Sequence, residues 1–421
     1  MVADGRAAPI IIDFDDAEVV GTIAETFADD IQMVTGIRPA VSDQIEKNSM
    51  PIIVGTLGQS NLIDALDKER KIKADGIRGQ WESYAIEVVD DPVKGVKKAL
   101  VCYGQNPRAT AYAMLELSRL SGVSPLVWWA DVEPIHKENL YVNGKRTLVK
   151  SPDVKYRGIF LNDEDWGLQP WAANGIDKDS GNIGPETYAK VMELLLRLRA
   201  NTLWPAMHKC SQAFWDNKDN LAVAKRYDIV LGSSHCEPML RNNEWEWRRY
   251  EYYDLTGEYA DAKNDTWNYN SPNRDDIQQY WRQRVEESKD YDAIYTLGMR
   301  GVHDSAIAGY PTVDDKVAGL TDIITFQRDL IGECIGEPST VPQIFVPYKE
   351  VLDAYNAGLE IPGDVTLTWT DDNHGFMRQL PRIEEQRREG GNGLYYHISY
   401  WGKPYDYLWL CSHSPALISY E

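Results

Sequence analysis

Two carboxylates and three basic side chains in the second half of the chain could act on a saccharide. Hydrolysis of a glycosidic bond needs one carboxyl group that protonates the leaving oxygen and a second that activates water or attacks the sugar. Asp304 and Glu350 follow neighbouring predicted strands, so a separation below about 10 Å is feasible for them. Arg300, Lys349 and His397 could hold a substrate carboxylate, and an arginine can do so through two parallel hydrogen bonds.

Similar polar clusters follow seven predicted strands, and this repetition is more specific than any one cluster. They lie at 162–166, 204–208, 235–237, 300–304, 348–350, 371–373 and 397–400. A barrel of parallel strands brings all such ends to one face. The further candidates for substrate contact are therefore Asp163, Trp204, His235, Glu237, Asp371, Asn373 and Tyr400.

Each candidate also has a structural explanation. Asp304 could cap the helix that follows it, and Glu350 could be a first-turn carboxylate favoured by the helix dipole. Asp371 and Asp372 could both be turn residues. Trp204 could be a core residue or a platform for a sugar ring. The chain's 14 Trp and 24 Tyr, against 7 Phe, fit sugar binding and a large core equally.

His235 and Glu237 leave two other interpretations open. They could form a buried hydrogen-bonded pair. With Asp304 and His397 they could instead ligate the metal of a metal-dependent barrel hydrolase. The chain has only 7 His, and no HxH follows the first strand of the repeat. We therefore expect no metal and no cofactor.

Eight short apolar segments that alternate with helical segments must position these side chains. The predicted strands are Arg157–Leu161, Thr202–Met207, Asp228–Gly232, Ala293–Leu297, Gln343–Val346, Val365–Trp369, Gly393–His397 and Leu408–Cys411. Helical periodicity is clear at 186–199 and 316–334. Eight repeats favour an α/β (β/α)₈ TIM barrel over a doubly wound sheet. Segment 240–290, after the third strand, is an insertion expected to shape a binding cleft.

The first 135 residues predict a separate small α/β domain. Apolar runs and amphipathic periodicity predict strands and helices at 9–12, 16–35, 51–55, 84–89, 98–104 and 107–121. Residues 136–155 predict a connector with a strand, and the barrel is expected over 156–421.

Bulk properties exclude several functions. The formal net charge is −21, which disfavours nucleic acid and anionic membrane surfaces as partners. No apolar run approaches the ~20 residues of a membrane helix. The five scattered cysteines contain no CxxC, so neither a disulfide framework nor a structural zinc is expected. The opening residues do not form a signal peptide, so export with the signal already removed and an internal location are both compatible.

At these motifs the whole chain resembles glycoside hydrolase family 115, the xylan α-1,2-glucuronidases. The resembling blocks, in order, are Arg157–Glu164, Asn201–Met207, Gly232–Met239, Thr296–Gly301, Tyr348–Val351, Trp369–Asn373 and Tyr395–Tyr400. Two blocks depart from the family pattern. Arg300-Gly-Val-His-Asp304 replaces a usual Arg-Gly-Asp-Gly-Asp, and Ser412-His-Ser-Pro415 replaces an Asn-rich stretch.

The resemblance implies an inverting hydrolase that releases glucuronate or 4-O-methylglucuronate from glucuronoxylan or its oligosaccharides. Asp304 matches the proposed acid, and Glu350 is our candidate for the water-activating base. The positions used around the uronate correspond to Asp163, Trp204, Arg300, Asn373, His397 and Tyr400. The resemblance also implies a secreted or periplasmic enzyme, a hexosaminidase-like N-terminal domain, and further C-terminal domains through which the protein could form a homodimer. A non-catalytic glycan-binding protein on a barrel scaffold is the remaining alternative.

Overall fold

The computed structural model describes residues 1–162, 164–244, 246–247, 266–302, 305–372 and 377–397. These residues fall into two compact units. Unit 1 contains Met1–Ile159, Pro185–Thr202 and Asp219–Ile229, and unit 2 contains the described residues of Phe160–Gly184, Leu203–Lys218 and Val230–Glu421. Unit 1 thus includes two segments from the region expected to form the barrel. The domain boundaries at 135 and 155 stay predictions.

Unit 1 is built around a six-stranded mixed sheet. The first eight strands of the chain are β1 Val2–Ala3, β2 Arg6–Ala7, β3 Ile10–Ile11, β4 Val41–Ser42, β5 Ile52–Thr56, β6 Tyr84–Asp90, β7 Lys98–Gly104 and β8 Thr147–Val149. The order in this sheet is β4-β3-β5-β7-β6-β8. Strands β6 and β7 pair antiparallel, as their spacing predicted, whereas β5 and β7 pair parallel. The fully buried β5 lies near the centre, which explains its uninterrupted apolar sequence.

Two helices of unit 1 have an end with a clear physical reason. The helices of this unit are α1 Glu18–Thr35, α2 Asn61–Lys68, α3 Pro107–Ser121, and, from the later segments, α5 Pro185–Arg197 and α6 Lys218–Arg226. Gly36 ends α1 in the left-handed conformation at φ 76°, which glycine adopts without strain. The side chain of Asn106 accepts a hydrogen bond from the Ala109 amide and so caps α3. The predicted helices at 16–35 and 107–121 are confirmed.

A buried carboxylate explains two residues of the family-like blocks. Glu82 accepts hydrogen bonds from Arg108 (2.9 Å), Arg157 (2.5 Å) and Asn201 (2.8 Å) within unit 1. Buried charges of this kind need both a partner of opposite sign and full hydrogen bonding. Arg157 and Asn201 therefore fix the start of two strands.

Seven further strands follow in chain order, and all seven were predicted. They are β9 Gly158–Phe160, β10 Thr202–Trp204, β11 Val230–Leu231, β12 Tyr295–Thr296, β13 Gln343–Phe345, β14 Thr366–Thr370 and β15 Asn392–Tyr395. One sheet has the order β9-β10-β11 and another has β12-β13-β14-β15, which is parallel throughout. A parallel bridge from Leu231 to Ala293 links the two sheets. The predicted eighth strand, Leu408–Cys411, lies outside the described residues.

Helices separate most of these strands, as expected for an α/β fold. Besides α5 and α6 they are α4 Leu168–Asn174, α7 Arg274–Ser288, α8 Val313–Cys334 and α9 Glu350–Asn356. Thr312 and Asp315 form a reciprocal capping box at the start of α8. The predictions at 186–199 and 316–334 match α5 and α8 to within three residues. None of the helices in the described part of the chain is long and apolar enough to cross a membrane.

The segment expected to be a cleft-forming insertion contributes core in its described part. Trp247, Trp267, Tyr280 and Trp281 are buried, and their rings meet edge to face at centroid distances of 5.1 to 6.2 Å. Helix α7 lies between β11 and β12 and presents two of these rings inward. The expectation that the 240–290 insertion shapes a binding cleft stays a prediction. Its aromatic residues pack the interior of unit 2.

Each described cysteine (Cys102, Cys210, Cys236 and Cys334) is a free thiol. Cys411 lies outside the described residues. Burial raises the pKa of the Cys210 thiol to about 11, and the nearby Glu164 and Asp165 carboxylates add to that effect. A thiol held in its protonated form is a poor nucleophile.

Candidate active site

The predicted site residues that the structure describes all belong to unit 2, although they do not form one cluster. They are Trp204, His235, Glu237, Arg300, Lys349, Glu350, Asp371 and His397. Four other predicted residues lie outside the described part of the chain: Asp163, Asp304, Asn373 and Tyr400.

Arg300 and Glu350 form a two-pronged ion pair between the ends of β12 and β13. The guanidinium Nε donates to Glu350 Oε1 at 3.0 Å, and Nη2 donates to Oε2 at 2.8 Å. The arginine side chain is 2% exposed and the glutamate 16%. The Arg300 guanidinium also lies 5.7 Å from the Tyr348 ring centroid. Glu350 begins α9, so it is also the first-turn carboxylate anticipated as an alternative.

Asp371 and His397 form a second pair, between the ends of β14 and β15. Asp371 Oδ1 lies 2.6 Å from His397 Nδ1 and accepts a hydrogen bond from the His397 amide at 3.2 Å. Asp371 is fully buried and is no exposed turn residue. A carboxylate at Nδ1 favours the tautomer with its proton there.

Aromatic rings connect the ends of several strands around these two pairs. Tyr395 stacks on the His397 ring at 5.0 Å and meets the Trp204 ring edge to face at 5.4 Å. Phe160 contacts both Trp204 (5.7 Å) and Tyr395 (5.9 Å). The rings of β9, β10 and β15 therefore lie in one cluster. Trp204 is half buried, so it belongs to the core and still has ring surface available to a ligand.

His235 joins the aromatic cluster from the end of β11. Its ring meets Tyr348 edge to face at 5.1 Å and lies 6.1 Å from the Tyr395 ring. His235 thus links the aromatic ring beside Arg300 to the one beside His397. Direct contacts and shared ring neighbours thus connect six of the predicted site residues: Trp204, His235, Arg300, Glu350, Asp371 and His397.

Glu237 lies in a different, buried environment. Burial raises the pKa of Glu237 well above its ordinary value, and the Glu246 and Glu164 carboxylates raise it further, while a hydrogen bond from Asn242 opposes the shift. Arg241 and Arg284, in contrast, pair with Glu246 at 2.9 and 2.5 Å. The surroundings of Glu237 therefore favour the neutral form of its carboxyl group.

Lys349 is exposed at a cavity beside the cluster. The cavity has a volume of about 480 Å³ and is lined by Pro347, Tyr348, Lys349, Leu352, Asp353, Trp369, Thr370, Asp372, Arg378 and Gln379. The Lys349 backbone has φ 49° and ψ −127°, a conformation that costs a non-glycine residue about 1–3 kcal/mol and is concentrated at functional sites. This strained residue separates Tyr348 from Glu350 and so fixes the directions in which the two side chains leave the chain.

Sequence reasoning missed three residues that shape the site. Tyr348 and Tyr395 contact the candidate side chains directly, and both lie within the family-like blocks. Glu164 is buried, accepts hydrogen bonds from the His208 amide (2.7 Å) and the Ser211 hydroxyl (2.5 Å), and so holds the loop after β10. Only its position beside Asp163 could have drawn attention to it.

The geometry is suited to binding an anionic ligand with hydroxyl groups. It offers a guanidinium, an imidazole, carboxylate acceptors and aromatic faces in a partly enclosed setting. In the described residues, no group of three or more His, Cys, Asp or Glu is arranged to hold a metal ion. The hypothetical ligand set also includes Asp304, which lies outside them.

Comparisons with known proteins agree with this chemistry. Residues 149–421 match the family model of glycosyl hydrolase family 115. A solved family GH115 4-O-methyl-α-glucuronidase with specificity for decorated arabinogalactans is 44% identical and has a TM-score of 0.85. The match covers 99% of this chain and 52% of that one, so this chain spans about half its length. None of the curated proteins matches.

More distant structures share the fold alone. A mutant β-hexosaminidase from Streptomyces plicatus, solved with its GlcNAc product, is 11% identical with a TM-score of 0.52. A GH20 β-N-acetylhexosaminidase from Streptomyces coelicolor is 10% identical with a TM-score of 0.50. Each match covers 96% of this chain and 74% of the other.

Proposed function

Since this chain belongs to glycosyl hydrolase family 115, we propose that it is an α-glucuronidase that releases glucuronic or 4-O-methylglucuronic acid from a polysaccharide. The observation that carries the proposal is the pairing of Arg300 with Glu350, beside Asp371 and His397, at adjacent strand ends. This cluster combines a carboxylate suited to activating water with cationic or hydrogen-bonding groups suited to a uronate.

In the proposed reaction Glu350 acts as the general base and Asp304 as the general acid. The inverting mechanism requires space for a water molecule between the base and the sugar. The Arg300 guanidinium holds both oxygens of Glu350, so the carboxylate keeps one orientation toward that water. The proton that Glu350 removes from water is balanced by the proton that Asp304 gives to the leaving oxygen.

The uronate is bound by the groups around this pair. In the proposed complex His397 hydrogen-bonds the substrate through Nε2, since Asp371 lies at Nδ1. Lys349 supplies positive charge in a chain of net charge −21, which otherwise repels an anionic sugar, whereas the charge of Arg300 is balanced by Glu350. Trp204 offers a ring face to the sugar, with Asp163, Asn373 and Tyr400 as further contacts.

Two polysaccharides are the candidate substrates. The resemblance in the sequence favours glucuronoxylan, whose uronate is carried on xylose. The structural relative named for decorated arabinogalactans favours a galactose-linked uronate. We retain glucuronoxylan as the first substrate to test and decorated arabinogalactan as the second. A polysaccharide substrate also favours a location outside the cytoplasm.

We also propose that the strands β9 to β15 close into a (β/α)₈ barrel. Their neighbours follow chain order, and the Phe160 ring of the first strand contacts the Tyr395 ring of the seventh at 5.9 Å. Such contact between the two ends of an array supports curvature toward closure.

Release of free uronic acid tests the function. The protein is incubated with glucuronoxylan, decorated arabinogalactan and short uronic-acid oligosaccharides from each, and products are separated by anion-exchange chromatography. We expect uronate release that falls at least 100-fold in Glu350→Gln and Asp304→Asn, the effect of removing an acid or base. Glu360→Gln, an exposed residue near the same helix, is the matched control.

Other results would identify the alternatives. Loss of activity after treatment with a strong chelator would support a metal-dependent hydrolase. Measurable oligosaccharide affinity without turnover of any substrate would support a glycan-binding protein. Unchanged release in both carboxylate variants would remove Glu350 and Asp304 from their proposed roles.

A further inference from the structure

We propose that Trp166 and Trp171 form an aromatic rim that binds the neutral main chain of the polysaccharide, beyond the sugar that is cleaved. This inference rests on the proposed function, because it assigns to the same site a contact with the part of the substrate that remains after hydrolysis. The term "tryptophan rim" below means these two residues.

The exposure of the two indoles separates them from the other tryptophans. In the part of the chain that the structure describes, Trp166 (39%) and Trp171 (43%) are the tryptophans with a large exposed fraction, whereas five others are buried. Keeping an indole in water forgoes the stabilisation gained by burying it. Two such side chains five positions apart indicate a surface that meets a ligand.

The segment that carries Trp166 is held in place. Glu164 is buried and accepts two hydrogen bonds from the loop after β10, one from the His208 amide and one from the Ser211 hydroxyl. Asp165 lies 3.0 Å from His208 Nδ1. Trp166 ends the same short 3₁₀ turn, so its backbone is fixed before any ligand arrives. A fixed aromatic group loses little conformational entropy on binding.

Trp171 lies on the helix that follows this turn. Helix α4 (Leu168–Asn174) packs against the 3₁₀ turn, and its Ala172 is fully buried in unit 2. Trp171 is 43% exposed, so its side chain lies on the solvent side of this helix. The two indoles are therefore presented by one anchored segment.

The tryptophan rim follows a strand whose end lies at the proposed uronate site. Strand β9 ends at Phe160, whose ring contacts Tyr395, and Tyr395 stacks on His397. Trp166 is six residues beyond Phe160, which limits their Cα separation to about 20 Å at ~3.3–3.6 Å per residue. This distance suits sugar units further along the substrate.

The chemistry of the rim favours an uncharged carbohydrate. Indole faces pack against the C–H faces of sugar rings and leave the hydroxyl edges free for water. Asp165, 39% exposed beside Trp166, would repel a second uronate. The geometry therefore points to the unsubstituted main-chain sugars, such as xylose or galactose units.

The test compares polymeric and short substrates in Trp166→Ala, Trp171→Ala and the double variant. We expect the ratio of kcat/KM on the polymer to kcat/KM on a short uronic-acid oligosaccharide to fall about tenfold in the double variant, through KM and with kcat on the polymer retained. Affinity electrophoresis in gels that contain the unsubstituted main-chain polysaccharide should show weaker retardation of the double variant. Tyr141→Ala, which removes a 77% exposed aromatic ring from unit 1, is the matched control and should behave as the wild type.

Each contrary outcome has a distinct meaning. If the wild type cleaves the short substrate but the double variant keeps the wild-type ratio and retardation, the tryptophan rim is overturned and the proposed function stands. Equal losses on both substrates would also overturn it, because the residues would then act at the cleavage site. A shift of oligomeric state in the double variant would identify a second copy of the chain as the occupant instead. If the wild type cleaves neither substrate, the proposed function itself fails.

Discussion

The Arg300–Glu350 pair predicts an asymmetry between its two single replacements. The guanidinium is 2% exposed and the carboxylate 16%, so only the glutamate has water at hand when its partner is removed. Two opposite charges about 3 Å apart interact by roughly 5–6 kcal/mol at an effective dielectric constant near 20, and the desolvation of both groups offsets much of this. The structure therefore predicts a larger loss when Glu350 is replaced than when Arg300 is replaced.

The expected magnitudes follow from burial and hydrogen bonding. Glu350→Leu leaves a buried guanidinium without its carboxylate and should reduce the free energy of unfolding by about 3–5 kcal/mol. Glu350→Gln keeps one oxygen acceptor and should cost about 1.5–3 kcal/mol, the value of a hydrogen bond to a charged group. Arg300→Met leaves a partly solvated carboxylate and should cost less than Glu350→Leu. The Arg300→Met/Glu350→Leu double variant should be more stable than the sum of its single effects predicts.

Urea titration followed by tryptophan fluorescence measures these values, since unit 2 contains the buried Trp215, Trp247, Trp267, Trp281 and Trp369. Glu360→Leu serves as the control for a leucine introduced nearby at an exposed position. A loss below about 1 kcal/mol in Glu350→Leu, or strictly additive effects in the double variant, would refute the claim that this pair is a buried, coupled unit.

Three other predictions concern replacements of Glu237, Asp371 and Gly232. The raised pKa of Glu237 means that the folded state holds a proton which the unfolded state releases above about pH 4.5. The free energy of unfolding should therefore fall as pH rises from there through the raised pKa. Glu237→Gln should remove this loss, so thermal unfolding of the two proteins should differ at pH 8 and converge at pH 4. Asp371→Asn should lower uronate release about 10- to 100-fold because it releases the His397 ring, while unfolding in urea checks that the fold persists. Gly232→Ala should cost about 1–3 kcal/mol in the same titration, because a Cβ there would lie 2.4 Å from Trp204 Nε1; an unchanged midpoint would contradict the close approach.

The strands and long helices could be predicted because their patterns are local. Buried parallel strands such as β5 and β13 are short apolar runs bounded by turn residues, and α1 and α3 have apolar spacing of a helix with clear end signals. These signals depend only on neighbouring residues. They do not specify which unit an element joins, and so the membership of α5 and α6 in unit 1 was not anticipated.

The candidate site could be predicted as a set of strand ends but not as pairs. Periodicity places Arg300 and Glu350 at adjacent strand ends, yet the direction of each side chain depends on tertiary packing and, for Glu350, on the strained backbone of Lys349. The same limit applies to the aromatic residues of 266–290. Aromatic composition is the same for a sugar-binding cleft and a core, and only burial of Trp267 and Trp281 separates the two.

A crystal structure of the protein with glucuronic acid tests the central claim most directly. We predict that the carboxylate or ring hydroxyls of the sugar lie within hydrogen-bond distance of Lys349 and of His397, with Glu350 on one face of the anomeric carbon. Glucuronic acid bound elsewhere on the molecule, with this cluster of strand ends unoccupied, would contradict the account.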